Sequence, residues 1–261
     1  MKKAIVALIA GFAWMLVQAA PLQAQSLAGT GVVLMHGKTG LPGSLLTDLA
    51  AALRKEGAIV VTPEMPWSRK RIYDASYDQA LAQIGALAAD LRKRGATKIV
   101  IAGQSLGANA AIGYGVRHGD IAAVVAIAPG HNPAAPGFVK HSAASVQTAK
   151  KLVAAGQGDT VQNFVDFNQG QELTVRASAK IYLSYLDPNG PAVMGRNAAA
   201  MKPIPFLLAV GRQDPLYGRV RQLIYVPAAK NPKSKFVEVG GGHKDTGRLA
   251  VGQIVSWLKS L

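Results

Sequence analysis

Short runs of apolar, largely β-branched residues punctuate the chain. They lie at Gly31–Met35 (GVVLM), Ala58–Thr62 (AIVVT), Lys98–Ala102 (KIVIA), Ala122–Ile127 (AAVVAI), Ile204–Val210 (IPFLLAV) and Lys235–Val239 (KFVEV). Runs this short, apolar throughout and bounded by turn residues, read as strands covered on both faces. Between them the spacing changes to three and four. Tyr77, Leu81, Ile84, Leu87 and Leu91 form one stripe on a helix that stops at Gly95, and Leu249, Ile254, Val255 and Leu258 mark a similar face on a last helix. The alternation predicts an α/β fold, a mostly parallel central sheet with helices on both faces.

One interval breaks the rhythm. About 75 residues separate Ala128 from Ile204, far more than one crossover helix requires. Residues 145–155 and 173–186 read as helical, and PGHNPAAPG (Pro129–Gly137) and DPNGP (Asp187–Pro191) are turn-rich boundaries. Residues 130–202 are therefore expected to form a small helical cap over the carboxyl edge of the sheet. No internal repeat is visible.

The first residues follow another pattern. Lys2 and Lys3 precede an uncharged apolar run from Ala4 to Val17, followed by Ala19, Ala20 and Ala24. That is the layout of a signal peptide over residues 1–24, with cleavage after Ala24 and with Ala20 and Ala28 as alternative sites. A membrane anchor is the competing reading, but the run is short and alanine-rich for one. The expected location is periplasmic or secreted, with no stable membrane anchor after cleavage, and residues 25–261 form one domain. The chain has no cysteine, which excludes disulfides, cysteine-ligated metals and a thiol nucleophile. Its formal charge is +15, and loss of the leader removes two of those positive charges. Such an excess draws anionic partners through its long-range field and carries no information about fold.

Candidate chemistry begins at Gly103-Gln104-Ser105-Leu106-Gly107, directly after the strand at Lys98–Ala102 and before a helix expected to reach His118. A serine lifted from a sheet on a sharp strand-to-helix turn needs small neighbours two residues to either side, because a β-carbon there would meet backbone. A serine hydroxyl attacks poorly unless a base accepts its proton, and the base needs a carboxylate to orient it. His243 in FVEVGGGHKD and Asp214 in AVGRQDPLY each follow a core strand, in the chain order Ser, Asp, His. Asp187 and Glu238 are rival acids, the first at the cap boundary and the second within a strand. Asp245 follows His243 too closely to clamp it. His118 suits a helix C-terminus, and His131 and His141 read as solvated loop residues.

A tetrahedral oxyanion needs two backbone donors. Leu106 N–H, at the start of the helix, is one candidate, and Lys38 N–H in the loop MHGKTG after the first strand is the other. Ligands in open parallel sheets sit beyond the carboxyl ends of the strands. The loops there contribute His36, Gly37, Gln104, Trp67, Arg69, Arg71 and Arg212 as expected substrate contacts, with Lys70, Tyr73 and Tyr217 nearby. Their basic character predicts an anionic substrate, or an anionic surface on which the substrate is found.

Taken in order, GVVLMHG, GQSLG, GRQDP and GGGH resemble the α/β-hydrolase superfamily over nearly all of the chain beyond the leader. The compact sheet with an insertion is similar to carboxylesterase, lipase and dienelactone-hydrolase-like members. The resemblance implies an eight-stranded core, a serine nucleophile and neither metal nor organic cofactor. The chain departs from the HGGG loop of lipases and esterases, with His36-Gly37-Lys38-Thr39-Gly40 in its place. The leading expectation is cleavage of a small-molecule or polymeric ester through an acyl-enzyme. Amide or thioester cleavage uses the same parts, and a non-catalytic anion-binding module of the same fold has no use for all three side chains. Nucleic acid binding at SRKR is not expected of an exported chain.

Overall fold

A computed structural model describes residues 26–261. The leader assigned to residues 1–24 lies outside them. The central sheet is built from β1 (Thr30–Met35), β2 (Ile59–Val61), β3 (Lys98–Ser105), β4 (Ala123–Pro129), β7 (Phe206–Gly211) and β8 (Lys235–Val239). Their order is β2-β1-β3-β4-β7-β8, and each neighbouring pair is parallel. Six strands, not the eight implied by the family resemblance, make up this sheet among the described residues.

The strands are apolar throughout because both faces are covered. Val32 and Leu34 in β1, Val100 in β3, Val125 in β4 and Leu207 in β7 point to a core shared with α1 (Thr47–Lys55) and α10 (Val251–Lys259). The alternate residues Val33, Ile101, Val124 and Leu208 point to a second core under α2 (Tyr77–Lys93) and α3 (Leu106–Arg117). Helix α2 carries the expected stripe. It opens on a capping box in which Gln79 N–H donates to Ser76 Oγ and Ser76 N–H to Gln79 Oε1, and it ends before Gly95, whose φ is +93°.

Strand order fixes where a site can form. From β1 the chain crosses to β2 on one side and then to β3 on the other, so the loops leaving β1 and β3 diverge and open a crevice between them. The remaining elements are α7 (Tyr217–Val220), a π-helical turn (Arg221–Tyr225) and α8 (Val226–Ala228) between β7 and β8, then α9 (Thr246–Leu249) before α10. No helix among the described residues is long and apolar enough to cross a membrane.

The insertion between β4 and β7 differs from the expected helical cap. It holds α4 (Pro136–Ala154), an antiparallel hairpin of β5 (Val161–Asn168) and β6 (Gln171–Ser178), then α5 (Ala179–Leu186) and α6 (Met194–Ala200). Residues 173–178, expected to be helical, are the second hairpin strand. Gln169 and Gly170 both take positive φ, +49° and +84°, as a tight two-residue hairpin turn requires. Phe164 and Val175, a directly opposed pair, are buried, and the Phe164 ring stacks on Tyr182 of α5 at 4.4 Å.

A buried ion pair fastens this hairpin to the sheet. Asp166 of β5 faces Lys38 from the loop after β1, with Lys38 Nζ 2.6 Å from Oδ1 and 2.7 Å from Oδ2 and side-chain exposures of 4% and 0%. Tyr73 OH donates to the same carboxylate at 2.9 Å. Burial alone would raise the Asp166 pKa, but the Lys38 ammonium and the Tyr73 hydroxyl outweigh it and hold the carboxyl below its ordinary range. The stabilisation is therefore complete above the unfolded-state value and is lost as the pH falls through the lower folded value. Asp166→Asn strands a buried ammonium and should lower the unfolding free energy at pH 7 by about 3–5 kcal/mol. Urea titrations at stepped pH should show that gap to wild type narrowing below about pH 4. A gap independent of pH would mean that the carboxylate is not ionised in the fold.

Candidate active site

Ser105 sits where β3 turns into α3, at φ +57° and ψ −116°, a backbone region that costs on the order of 1–3 kcal/mol for a residue with a side chain. Close packing holds it there. A β-carbon at Gly103 would lie 2.4 Å from the carbonyl carbon and oxygen of Gly107, and one at Gly107 would lie 2.6 Å from Met35 O and 2.7 Å from His36 O. The two glycines let the helix start against the end of β1. The serine side chain projects into a cleft of about 310 Å³ at the divergence of the β1 and β3 loops.

His243 lies in the loop between β8 and α9, and Asp214 in the loop after β7. His243 Nδ1 is 2.7 Å from Asp214 Oδ2, and the other carboxylate oxygen accepts Leu216 N–H at 2.8 Å. An ionised carboxylate only accepts, so Nδ1 carries the proton and Nε2 is left with the lone pair. The glycines before His243 give the loop its curl. Gly241 takes φ +71° and a β-carbon there would strike Asp245 at 2.8 Å, while Asp245 Oδ2 accepts Gly242 N–H. Ser105 and His243 both border Gly130: the point where a β-carbon of Gly130 would stand is 2.7 Å from Ser105 Oγ and 3.4 Å from His243 Cε1, while no hydrogen bond joins Ser105 Oγ to His243 Nε2 among the described residues. The rival acids are engaged elsewhere. Asp187 pairs with Lys150 at 3.1 Å, and Glu238 accepts the Tyr217 hydroxyl.

The loop after β1 passes immediately beside the serine. A β-carbon on Gly37 would fall 2.4 Å from Gln104 Oε1 and 3.0 Å from Ser105 Cβ. Thr39 N–H donates to Trp67 O and Gly40 N–H to Gly37 O, and Arg69 N–H donates to Gly40 O. Lys38 N–H and Leu106 N–H, in contrast, have no acceptor among the described residues. Both belong to residues beside Ser105, and Lys38 lines the cleft.

Several side chains expected in the cleft are elsewhere. His36 is fully buried. Burial pushes its pKa down, its Nε2 accepts Met65 N–H at 3.2 Å, and its Nδ1 hydrogen-bonds Gly37 O at 2.7 Å, so the neutral ring braces the loop from below. Trp67 is buried because its indole N–H reaches His36 O at 2.9 Å. Arg71 turns away to Asp74, Glu64 O and Gln83. Arg212 is exposed and does not line the cleft, and the Lys38 side chain is drawn back to Asp166. Tyr73 is buried and bound to Asp166. Gly37, Gln104 and Arg69 do line the cleft, joined by Ser44, Asn168, Gln169 and Lys244, which the sequence reading missed. His131, expected to be solvated, is buried. Desolvation, assisted by the nearby Lys38 charge, lowers its pKa to about 3, and the ring hydrogen-bonds Tyr185 O at 2.9 Å.

The arrangement has known relatives in fold. The sequence profile described as alpha/beta hydrolase family matches residues 32–249. No curated protein matches the chain. A solved structure from the metagenome-derived lipolytic pair LipS and LipT is 18% identical, with 90% of this chain and 95% of that chain covered and a TM-score of 0.63. The Paleococcus ferrophilus monoacylglycerol lipase is 23% identical, covering 88% and 94%, with a TM-score of 0.61. The thioesterase domain from the curacin biosynthetic pathway is 19% identical, covering 89% and 91%, with a TM-score of 0.59. These similarities are of fold. The profile spans most of the described residues, from β1 through α9, and on that match the chain belongs to the alpha/beta hydrolase family.

Proposed function

We propose that the chain is an exported serine hydrolase that cleaves esters through an acyl-enzyme and favours substrates carrying negative charge. The observation that carries this reading is the 2.7 Å contact of His243 Nδ1 with Asp214 Oδ2, which leaves Nε2 as the base on a ring that borders Gly130, as does the serine on its strained turn. In the mechanism, Ser105 Oγ attacks the ester carbonyl while Nε2 takes its proton. The oxyanion is met by Lys38 N–H and Leu106 N–H, donors that typically contribute about 3 kcal/mol each. Collapse expels the alkoxide, which receives the proton from Nε2, and a water repeats the sequence to release the acid. A thioester follows the same steps, and the likeness to a thioesterase domain makes it the second substrate class to assay.

Anionic preference is supported by placement. Arg69 and Lys244 both line the cleft, and no acidic side chain does. Export is supported by the charge and apolar layout of residues 1–24. Leu27 is 2% exposed and its N–H donates to Glu56 O, so a cut after Ala24 spares a packed residue that a cut after Ala28 would remove.

A fluorophosphonate probe should label the wild-type protein. Ser105→Ala should abolish labelling and lower kcat on p-nitrophenyl esters by about 10⁴-fold or more, and His243→Ala by a similar factor. Undiminished labelling of Ser105→Ala would remove the serine assignment. For the charge preference, Arg69→Gln/Lys244→Gln should raise KM for a carboxylate-bearing ester by roughly 5- to 20-fold at low salt, with the effect shrinking at high salt and a neutral ester little changed. Equal changes on both esters would discard the anionic preference.

A further inference from the structure

The ion pair that fastens the insertion is also attached to the backbone donor at position 38, and this suggests a role for it beyond holding the fold. We propose that Asp166 and Tyr73 are positioning residues for the oxyanion loop: by gripping the Lys38 side chain, the β5–β6 hairpin sets the direction of the Lys38 N–H. The proposal rests on the serine-hydrolase reading of the same site.

The Lys38 ammonium has three N–H donors, and all three are engaged by two consecutive hairpin residues, through Asp166 Oδ1, Asp166 Oδ2 and Phe167 O at 2.6, 2.7 and 3.1 Å. The carboxylate is itself fixed, accepting Tyr73 OH at 2.9 Å and Phe167 N–H at 2.7 Å. Lys38 Nζ also lies 5.2 Å from the centre of the Phe138 ring of α4. The long side chain therefore has one available course from its Cα into the insertion. The main chain to either side of Lys38 is pinned by Thr39 N–H on Trp67 O and by Trp67 Nε1–H on His36 O. One residue earlier, Gly37 is pressed against Gln104 and Ser105 with no room for a β-carbon. The Lys38 residue is thus held through its side chain and through both chain neighbours, and its own N–H has no acceptor among the described residues.

Stability alone does not account for this construction. Two ions taken out of water lose hydration that their attraction only partly returns, and well-packed apolar residues in such places often hold as firmly. A charged pair with every hydrogen bond satisfied offers direction instead, and an oxyanion donor is sensitive to direction. The hairpin that supplies Asp166 also places Asn168 and Gln169 on the cleft wall, so one element shapes the pocket and aims the donor.

The test compares wild type, Asp166→Asn, Tyr73→Phe and the double variant Lys38→Met/Asp166→Leu, with melting temperature, kcat, KM and the affinity of a trifluoromethyl ketone measured for each. Outright loss of one oxyanion donor costs on the order of 10²–10³ in kcat, which sets the ceiling. Asp166→Asn should lower kcat by about 10- to 100-fold with KM within about twofold, and should weaken the ketone, whose adduct carries the oxyanion, by a similar factor. Tyr73→Phe, which leaves the ion pair intact, should lose about 2- to 10-fold in both. The double variant should recover its melting temperature and not its kcat. Recovery of kcat together with melting temperature, or wild-type kcat and ketone affinity in folded Asp166→Asn, overturns the proposal. Should Asp166→Asn fail to fold, an unchanged Tyr73→Phe overturns it equally. Fluorophosphonate labelling of wild type separates the two readings: labelled enzyme with indifferent variants sinks the positioning role alone, while unlabelled wild type sinks the serine chemistry and the positioning role with it.

Discussion

Three backbone segments meet behind Ser105. The end of β1, the turn after β3 and the first residues of α3 approach so closely that β-carbons at Gly103 and Gly107 would each overlap backbone at 2.4–2.6 Å. A serine at φ +57° would relax by on the order of 1–3 kcal/mol if its surroundings allowed. They do not, because β3 is paired with β1 and β4 on its two sides and α3 is buried beneath it. The strain is held by the parallel sheet, and the sheet in turn places Asp214 and His243 at the same edge, in the loops after its last two strands. The geometry of the site therefore depends on a crowded crossing that only glycine permits.

The parts of this arrangement that are local in sequence could be read from it. Glycines two residues either side of Ser105, a run of apolar residues before and a helix after specify the turn, and the order of Asp214 and His243 after successive apolar runs specifies the edge. The hairpin was not legible in the same way. LTVRAS has no strong preference until it faces β5, and its pairing is confirmed only by contacts such as Phe164 against Val175. The turn at Gln169-Gly170 was the signal available. Trp67 and Tyr73 illustrate a different gap. An aromatic ring with one polar atom belongs in the core when that atom finds a partner there, and the partners, His36 O and Asp166, come from segments far away in sequence. Arg71, in contrast, carried a local clue in Asp74 three residues on.

Net charge says little about which basic side chains face the cleft, and their placement has to be read residue by residue. Of the basic residues gathered after the strands, Lys38 is neutralised by Asp166 and Arg71 is half-buried against Asp74, Glu64 O and the Gln83 side chain. Arg69 and Lys244 do line the cleft, on opposite sides of Ser105 in sequence and together in space. Two cations with no ion pair among the described residues, beside a partly enclosed cleft, would exert more on the proposed anionic substrate than a larger number spread over solvent, since water and salt screen the latter within about 8–10 Å.

The Lys38–Asp166 contact joins residues 128 apart in sequence, one in the sheet's own loop and one in the insertion. An insertion in this position could have been held by apolar packing alone, as Tyr185 of α5 already packs on Tyr73 and Tyr77. Apolar packing tolerates sliding by a fraction of an ångström at little cost, whereas an ammonium bound to two carboxylate oxygens and a carbonyl does not. In the proposed mechanism the amide of this loop faces a developing negative charge, and a support that slides would not serve it. The ionic fastening joins the insertion to that loop, and packing serves where only cohesion is needed.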